Sequence, residues 1–168
     1  MIVVCGQPRS GTSMVMRMLE MGGIILNYSQ LRNQSDLMQQ FRNPYGFFEM
    51  IPPRVEGNFK CIWPKMITEI PLNAKLIRIT RQQNEMIASW NAVRGQPISD
   101  ERINQIANMK KKWNNALAFR SYLALDYDTI IANPIITAQN IADFIREPFD
   151  VQAAAKAVDT TLYVDRKL

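Results

Sequence analysis

Between an apolar run, Met1-Ile2-Val3-Val4-Cys5, and a methionine-rich stretch from residue 12 lies Gly6-Gln7-Pro8-Arg9-Ser10-Gly11-Thr12-Ser13. A glycine-bearing loop that joins a strand to a helix suits the binding of an anion. Its backbone N–H groups converge on one point, and the positive end of the helix faces the same point. Gly6 and Gly11 allow turns that a side chain would block. Arg9 adds a full charge, and Ser10, Thr12 and Ser13 add hydroxyl donors. The predicted ligand is therefore an anionic group held at the amides of Ser10 to Ser13. The spacing nearly fits G-x-x-x-x-G-K-[ST], the loop that holds nucleotide phosphates, but the lysine position is Thr12. The cation has moved to Arg9, ahead of the second glycine, so the charge that ATP and GTP enzymes place on the terminal phosphates is displaced.

Composition narrows the chemistry further. The 168 residues contain no histidine, which removes His-ligated metal sites, Ser-His-Asp triads and any imidazole base. Cys5 and Cys61 lie in apolar runs and read as buried free thiols of a reducing compartment, with no metal site implied. No basic leader precedes the first apolar run and no segment is long enough to span a bilayer, so the expectation is a cytoplasmic protein with no membrane partner. The net charge of +5 is modest, and the only basic run, Lys110-Lys111-Lys112, reads as a solvated helix face, so no nucleic-acid partner is expected. Residues 60–81 carry Lys60, Lys65, Lys75, Arg78 and Arg81 against Glu69 alone, a local surplus suited to a small anionic ligand.

The elements that must position these residues follow from periodicity. The length fits one domain spanning 1–168. Residues 1–5 read as a strand buried on both faces. Residues 12–21 read as a helix, with Met14, Met18 and Met21 as a core stripe beside Val15 and Leu19, stopped by Gly22-Gly23. A helix near 30–41 follows, then breaks at Asn43-Pro44-Tyr45-Gly46 and Pro52-Pro53. Strands are predicted over 59–63, 74–80 and 121–126. Helices are predicted over 83–94, ending at Gly95, from Ser99 or Asp100 onward, near 135–146 and near 151–158. Strands alternating with helices predict an α/β fold, a three-layer α/β/α domain with a central parallel sheet of the P-loop NTPase-like kind.

Pro8-Arg9-Ser10-Gly11-Thr12 resembles the 5′-phosphosulfate loop of the sulfotransferase superfamily, which binds 3′-phosphoadenosine 5′-phosphosulfate (PAPS). That family also carries an arginine at the end of a later strand and a serine eight residues on. Arg81 and Ser89 have that spacing here. The resemblance implies that they hold the 3′-phosphate, and a guanidinium fork and a hydroxyl suit that task. The family has an Asp-Pro turn after the arginine in many members; here the residues are Gln82-Gln83-Asn84-Glu85. Leu125-Asp126-Tyr127-Asp128-Thr129-Ile130 is similar to the family's Tyr-Glu-Asp-Leu strand end, with Tyr127 packing beneath the sheet. Val158-Asp159-Thr160-Thr161-Leu162-Tyr163 is similar to bacterial members.

The resemblance implies sulfuryl transfer from PAPS to a hydroxyl or amine acceptor. Arg9 and the loop amides would stabilise charge on the transferring group. With histidine absent, the base would be Glu49, in a segment, Pro44-Tyr45-Gly46-Phe47-Phe48-Glu49, similar to one in bacterial relatives. Lys60 would assist at the transferring group. The cofactor-binding set is thus Arg9, Ser10, Gly11, Thr12, Ser13, Arg81 and Ser89, and the catalytic set Arg9, Glu49 and Lys60. Two other readings stand beside this one. A small-molecule or nucleotide kinase would use Asp126 as its Mg²⁺ carboxylate. A non-catalytic nucleotide-binding remnant would keep the loop alone. The acceptor is unidentified, and a homodimer is the assembly that would complete a short chain's cleft.

Overall fold

The computed structural model describes residues 1–28 and 57–159. Their elements, in chain order, are β1 (Ile2–Gly6), α1 (Thr12–Met21), β2 (Phe59–Cys61), a 3-10 helix (Pro64–Thr68), β3 (Lys75–Thr80), α2 (Gln83–Arg94), α3 (Asp100–Ala116), β4 (Tyr122–Asp126), α4 (Tyr127–Ala132), α5 (Pro134–Ile145) and α6 (Val151–Ala155). The four strands form one sheet in the order β2-β1-β3-β4, and every pairing is parallel. β1 is central and buried along its whole length, as its continuous apolar sequence requires.

Strand alternation divides the core into two faces. Ile2, Val4, Ile77, Ile79 and Leu125 pack with α1, α5 and α6 on one face. Val3, Cys5, Phe59, Cys61 and Leu76 pack with the 3-10 helix and with Trp113 and Leu117 of α3 and its end on the other. The register agrees, since Val3 lies opposite both Phe59 and Leu76. A third cluster, Met86, Ile98 and Ile106, joins α2 to α3. The result is the expected α/β fold, a parallel sheet between two helical layers.

Helix boundaries have local chemical causes. Gly22 ends α1, and its N–H donates to the Met18 carbonyl at 2.9 Å. Gly95 takes a left-handed φ of 70° at the end of α2. Ser99 caps α3 by accepting from the Arg102 amide, and Asp150 caps α6 by accepting from the Ala153 amide. Three expectations are corrected. β2 ends at Cys61 and not at residue 63, because Pro64 opens the 3-10 helix. The last helix ends at Ala155, short of 158. β4 runs straight into α4, a helix that the periodicity did not reveal, with Asp126 as its cap. The predicted helix near 30–41, the Pro44–Glu49 segment, Pro52-Pro53 and residues 160–163 lie outside the described residues.

α1 follows β1 on one face of the sheet, and the connection from β3 to β4 runs through α2 and α3, with α3 packed on the other face. The crevice between β1 and β3 at their carboxyl ends is therefore a topological switch point, where open α/β sheets receive ligands. The loop after β1 and Arg81, just past β3, both lie there.

Candidate functional site

The loop turns tightly because its sequence permits it. Ser10 closes it, directing both its N–H (3.1 Å) and its hydroxyl (2.7 Å) to the Gln7 carbonyl. A Cβ on Gly6 would stand 2.8 Å from the Ile79 carbonyl oxygen and from Ser10 Oγ, so only glycine fits there. Gly11 has φ of 98°, and a Cβ there would stand 2.4 Å from the Tyr127 ring. Arg9 also takes the left-handed region, at φ 71°, without being glycine. Such a residue is held at a cost of about 1–3 kcal/mol and persists only where its neighbours fix it.

Arg9 has those neighbours. Its Nε and a terminal nitrogen both donate to Ser89 Oγ, at 2.9 and 2.8 Å. Its carbonyl oxygen accepts from Arg81 at 3.2 Å. Arg81 also donates from Nε to Glu85 at 3.1 Å and lies 4.1 Å over the Tyr127 ring. Lys60, buried on β2, reaches from the other side and donates to Ser13 Oγ at 3.2 Å. Gln7 anchors the loop to α3 by donating its amide to the Ile106 carbonyl at 2.6 Å.

Helix α1 starts at Thr12, and Gly11 offers no capping side chain. The Gly11 carbonyl receives the first helical amides, those of Met14 and Val15. The amides of Thr12 and Ser13 therefore precede the first intrahelical bond, at the positive end of the helix dipole. Three cations, Arg9, Lys60 and Arg81, border that end. The donor set, with its glycine-bounded cradle, fits a multiply anionic group such as a phosphate or phosphosulfate.

No protein-family model matches the sequence. A search of curated proteins finds no match either. Among solved structures, a sulfotransferase domain from the curacin biosynthetic pathway superposes with a TM-score of 0.55 at 15% identity, over 90% of this chain and 75% of that one. The chain has a sulfotransferase-like fold. At this identity the likeness concerns the fold, and the site stands on its own geometry.

Within that fold, Arg9, Ser10, Gly11, Thr12, Ser13, Lys60, Arg81 and Ser89 fall in one neighbourhood, drawn from the β1–α1 loop, the start of α1, β2, the residue after β3 and α2. Their side chains are not all directed alike. The Ser10 hydroxyl serves the loop, Thr12 is buried, and the Ser89 hydroxyl receives Arg9. Glu49 lies outside the described residues. Asp126, the carboxylate of the kinase reading, accepts from the Asp128 amide at 3.1 Å as the cap of α4. Three residues join the site that spacing alone did not mark: Gln7, Glu85 and, in its contact with the loop, Tyr127. Glu85 was legible as a carboxylate one helical turn from Arg81. Burial raises the Tyr127 phenol above its ordinary pKa, against the pull of Arg81 and Arg9. The ring therefore faces the Arg81 guanidinium as a neutral surface. Among the described residues, no helix is long and apolar enough to cross a membrane.

Proposed function

We propose that this chain is a sulfotransferase that moves a sulfuryl group from PAPS to a hydroxyl or amine acceptor. One observation carries the reading: three cations that follow or belong to three different strands surround the glycine-bearing loop, Lys60 on Ser13 at the helix start and Arg81 on the carbonyl of Arg9. Arg9 follows β1, Lys60 belongs to β2, and Arg81 follows β3. The sulfotransferase-like fold supports it. When bound, PAPS supplies the sulfuryl group and a bisphosphate that leaves.

The chain's own residues have distinct tasks in this reading. The amides at the start of α1 bind the 5′ phosphosulfate, and Arg9 and Lys60 balance negative charge at the group in transit. Arg81 binds the 3′-phosphate. Glu49 takes the proton from the acceptor. Binding relies on protein cations, so no divalent metal is needed.

The test is a binding comparison of adenosine 3′,5′-bisphosphate, AMP, ATP and GTP, each with and without Mg²⁺. The bisphosphate should bind most tightly, unaffected by a chelator. Equal affinity for bisphosphate and AMP would remove the 3′-phosphate assignment. Tight ATP or GTP binding that requires Mg²⁺ would make the chain a kinase instead.

A further inference from the structure

We infer that Tyr127 is the positioning residue of this site, a single ring that sets both the turn at Gly11 and the attitude of Arg81. The inference rests on the sulfotransferase reading only for the identity of the ligand; the brace itself is a matter of contacts.

Those contacts converge from three directions. On one side the ring occupies the space that any side chain at residue 11 would need, 2.4 Å from the position of a Cβ. Its face carries the Arg81 guanidinium carbon at 4.1 Å from the centroid. Through Arg81 it reaches the Arg9 carbonyl, 3.2 Å from the guanidinium. The two left-handed residues of the loop, Arg9 and Gly11, are thus both tied to one aromatic ring. Glu85 completes the hold on Arg81 by an ion pair at 3.1 Å in which the Arg81 side chain is 5% exposed.

The arrangement has a chemical logic. A guanidinium aimed at a phosphate must be oriented before the ligand arrives, since ordering it on binding would cost side-chain entropy. An aromatic face fixes a planar cation while leaving its in-plane N–H donors available for hydrogen bonds. The same ring closes the loop's back, so the loop amides and Arg81 are held in one frame. Tyr127 can do this because Asp126 caps α4 and starts the helix at that residue.

Two measurements test it. The first needs no ligand. Protons stacked on an aromatic face shift upfield, so the side-chain δ protons of Arg81, assigned by their loss in Arg81→Met, should lie upfield in the wild type and in Tyr127→Phe. They should return to ordinary positions in Tyr127→Leu. Ordinary positions in the wild type would overturn the inference, whatever the variants do.

The second uses adenosine 3′,5′-bisphosphate, whose 3′-phosphate is the group assigned to Arg81, titrated calorimetrically. Tyr127→Phe should stay within about twofold of wild type and Tyr127→Leu should bind roughly tenfold more weakly, the scale of one partly desolvated cation–π contact. In an Arg81→Met background, Tyr127→Leu should add less than about twofold, because coupled residues do not lose affinity additively. A full additive loss would mean that Tyr127 does not act through Arg81, and the inference that one ring sets both fails. Absence of bisphosphate binding in the wild type would count against the sulfotransferase reading, while the proton shifts would still decide the brace.

Discussion

Arg9 spends backbone strain to stand where it does, and the return is a guanidinium and a carbonyl each fixed by another element. Arg81 supplies one of those fixings and is also the proposed 3′-phosphate ligand. Arg81→Ala should therefore weaken bisphosphate binding by about tenfold or more, the loss typical of a charged hydrogen bond. AMP, which lacks the 3′ group, should lose less, so the preference for bisphosphate should collapse. Calorimetric titration of both nucleotides checks this. Gly11 sits at the opposite pole of the loop. Gly11→Ala must place a Cβ against the Tyr127 ring at φ 98°. The expected cost is roughly 2 kcal/mol or more in stability, together with loss of anion binding, because alanine resists this backbone region even where space is open. An unchanged urea midpoint would show that the turn tolerates a Cβ at residue 11. Glu49 makes a different kind of claim. Glu49→Gln should leave bisphosphate affinity nearly intact and lower turnover by about 10²–10⁴-fold, the range for a lost general base. A variant with wild-type turnover would remove the assignment.

At the scale of elements, the loop depends on a helix far from it in sequence. Gln7 is buried, and its amide donates to Ile106 at 2.6 Å. Gln7→Ala should cost about 1 kcal/mol in stability, the net worth of one such bond, and should also weaken pyrophosphate binding. Lys111→Ala, on the exposed face of the same helix, should do neither. Equal effects of the two would mean that α3 does not hold the loop. Much of this frame was legible in the chain. The run Ile2–Cys5, the stripe Met14-Met18 and the stops at Gly22 and Gly95 each have a purely local cause, and each element formed where that cause predicted. α4 did not announce itself, because six residues are too few to show a helical period and its cap, Asp126, is also the last residue of a strand. The loop's composition suggested an anion cradle, and the resemblance to the sulfotransferase pattern singled out Arg81 and Ser89, which the fold places beside the loop. That Ser89 receives Arg9, and that Tyr127 lies against Gly11, depends on packing between segments far apart in the chain. No local pattern encodes such a contact.

For the whole molecule, the switch point places the site above the most buried part of the sheet, and the stability of that core sets the conditions under which the site exists. Cys5 and Cys61 are opposite each other in the β1–β2 register, both free and both buried, directly beneath the loop that starts at Gly6. Burial pushes the Cys61 thiol up from 9.0 to about 11, and it pushes Cys5 further up, with Cys61 adding to that shift. In the unfolded chain each thiol ionises at its ordinary pKa, so above about pH 9 the unfolded state gains charge that the folded core refuses. The stabilising effect of neutral thiols is complete below the unfolded pKa and is lost as pH rises through the folded value. For Cys61 the window runs from 9.0 to about 11. A two-unit shift corresponds to on the order of 2–3 kcal/mol. Urea unfolding at pH 7.5 and pH 10.5 should thus show wild-type stability falling with pH. In Cys61→Ala, which lacks the second thiol, the baseline should be lower from the lost packing and the decline with pH shallower. Parallel declines in the two proteins would mean that Cys61 ionises in the folded state as readily as in the unfolded one. The core beneath the loop would then be open to water.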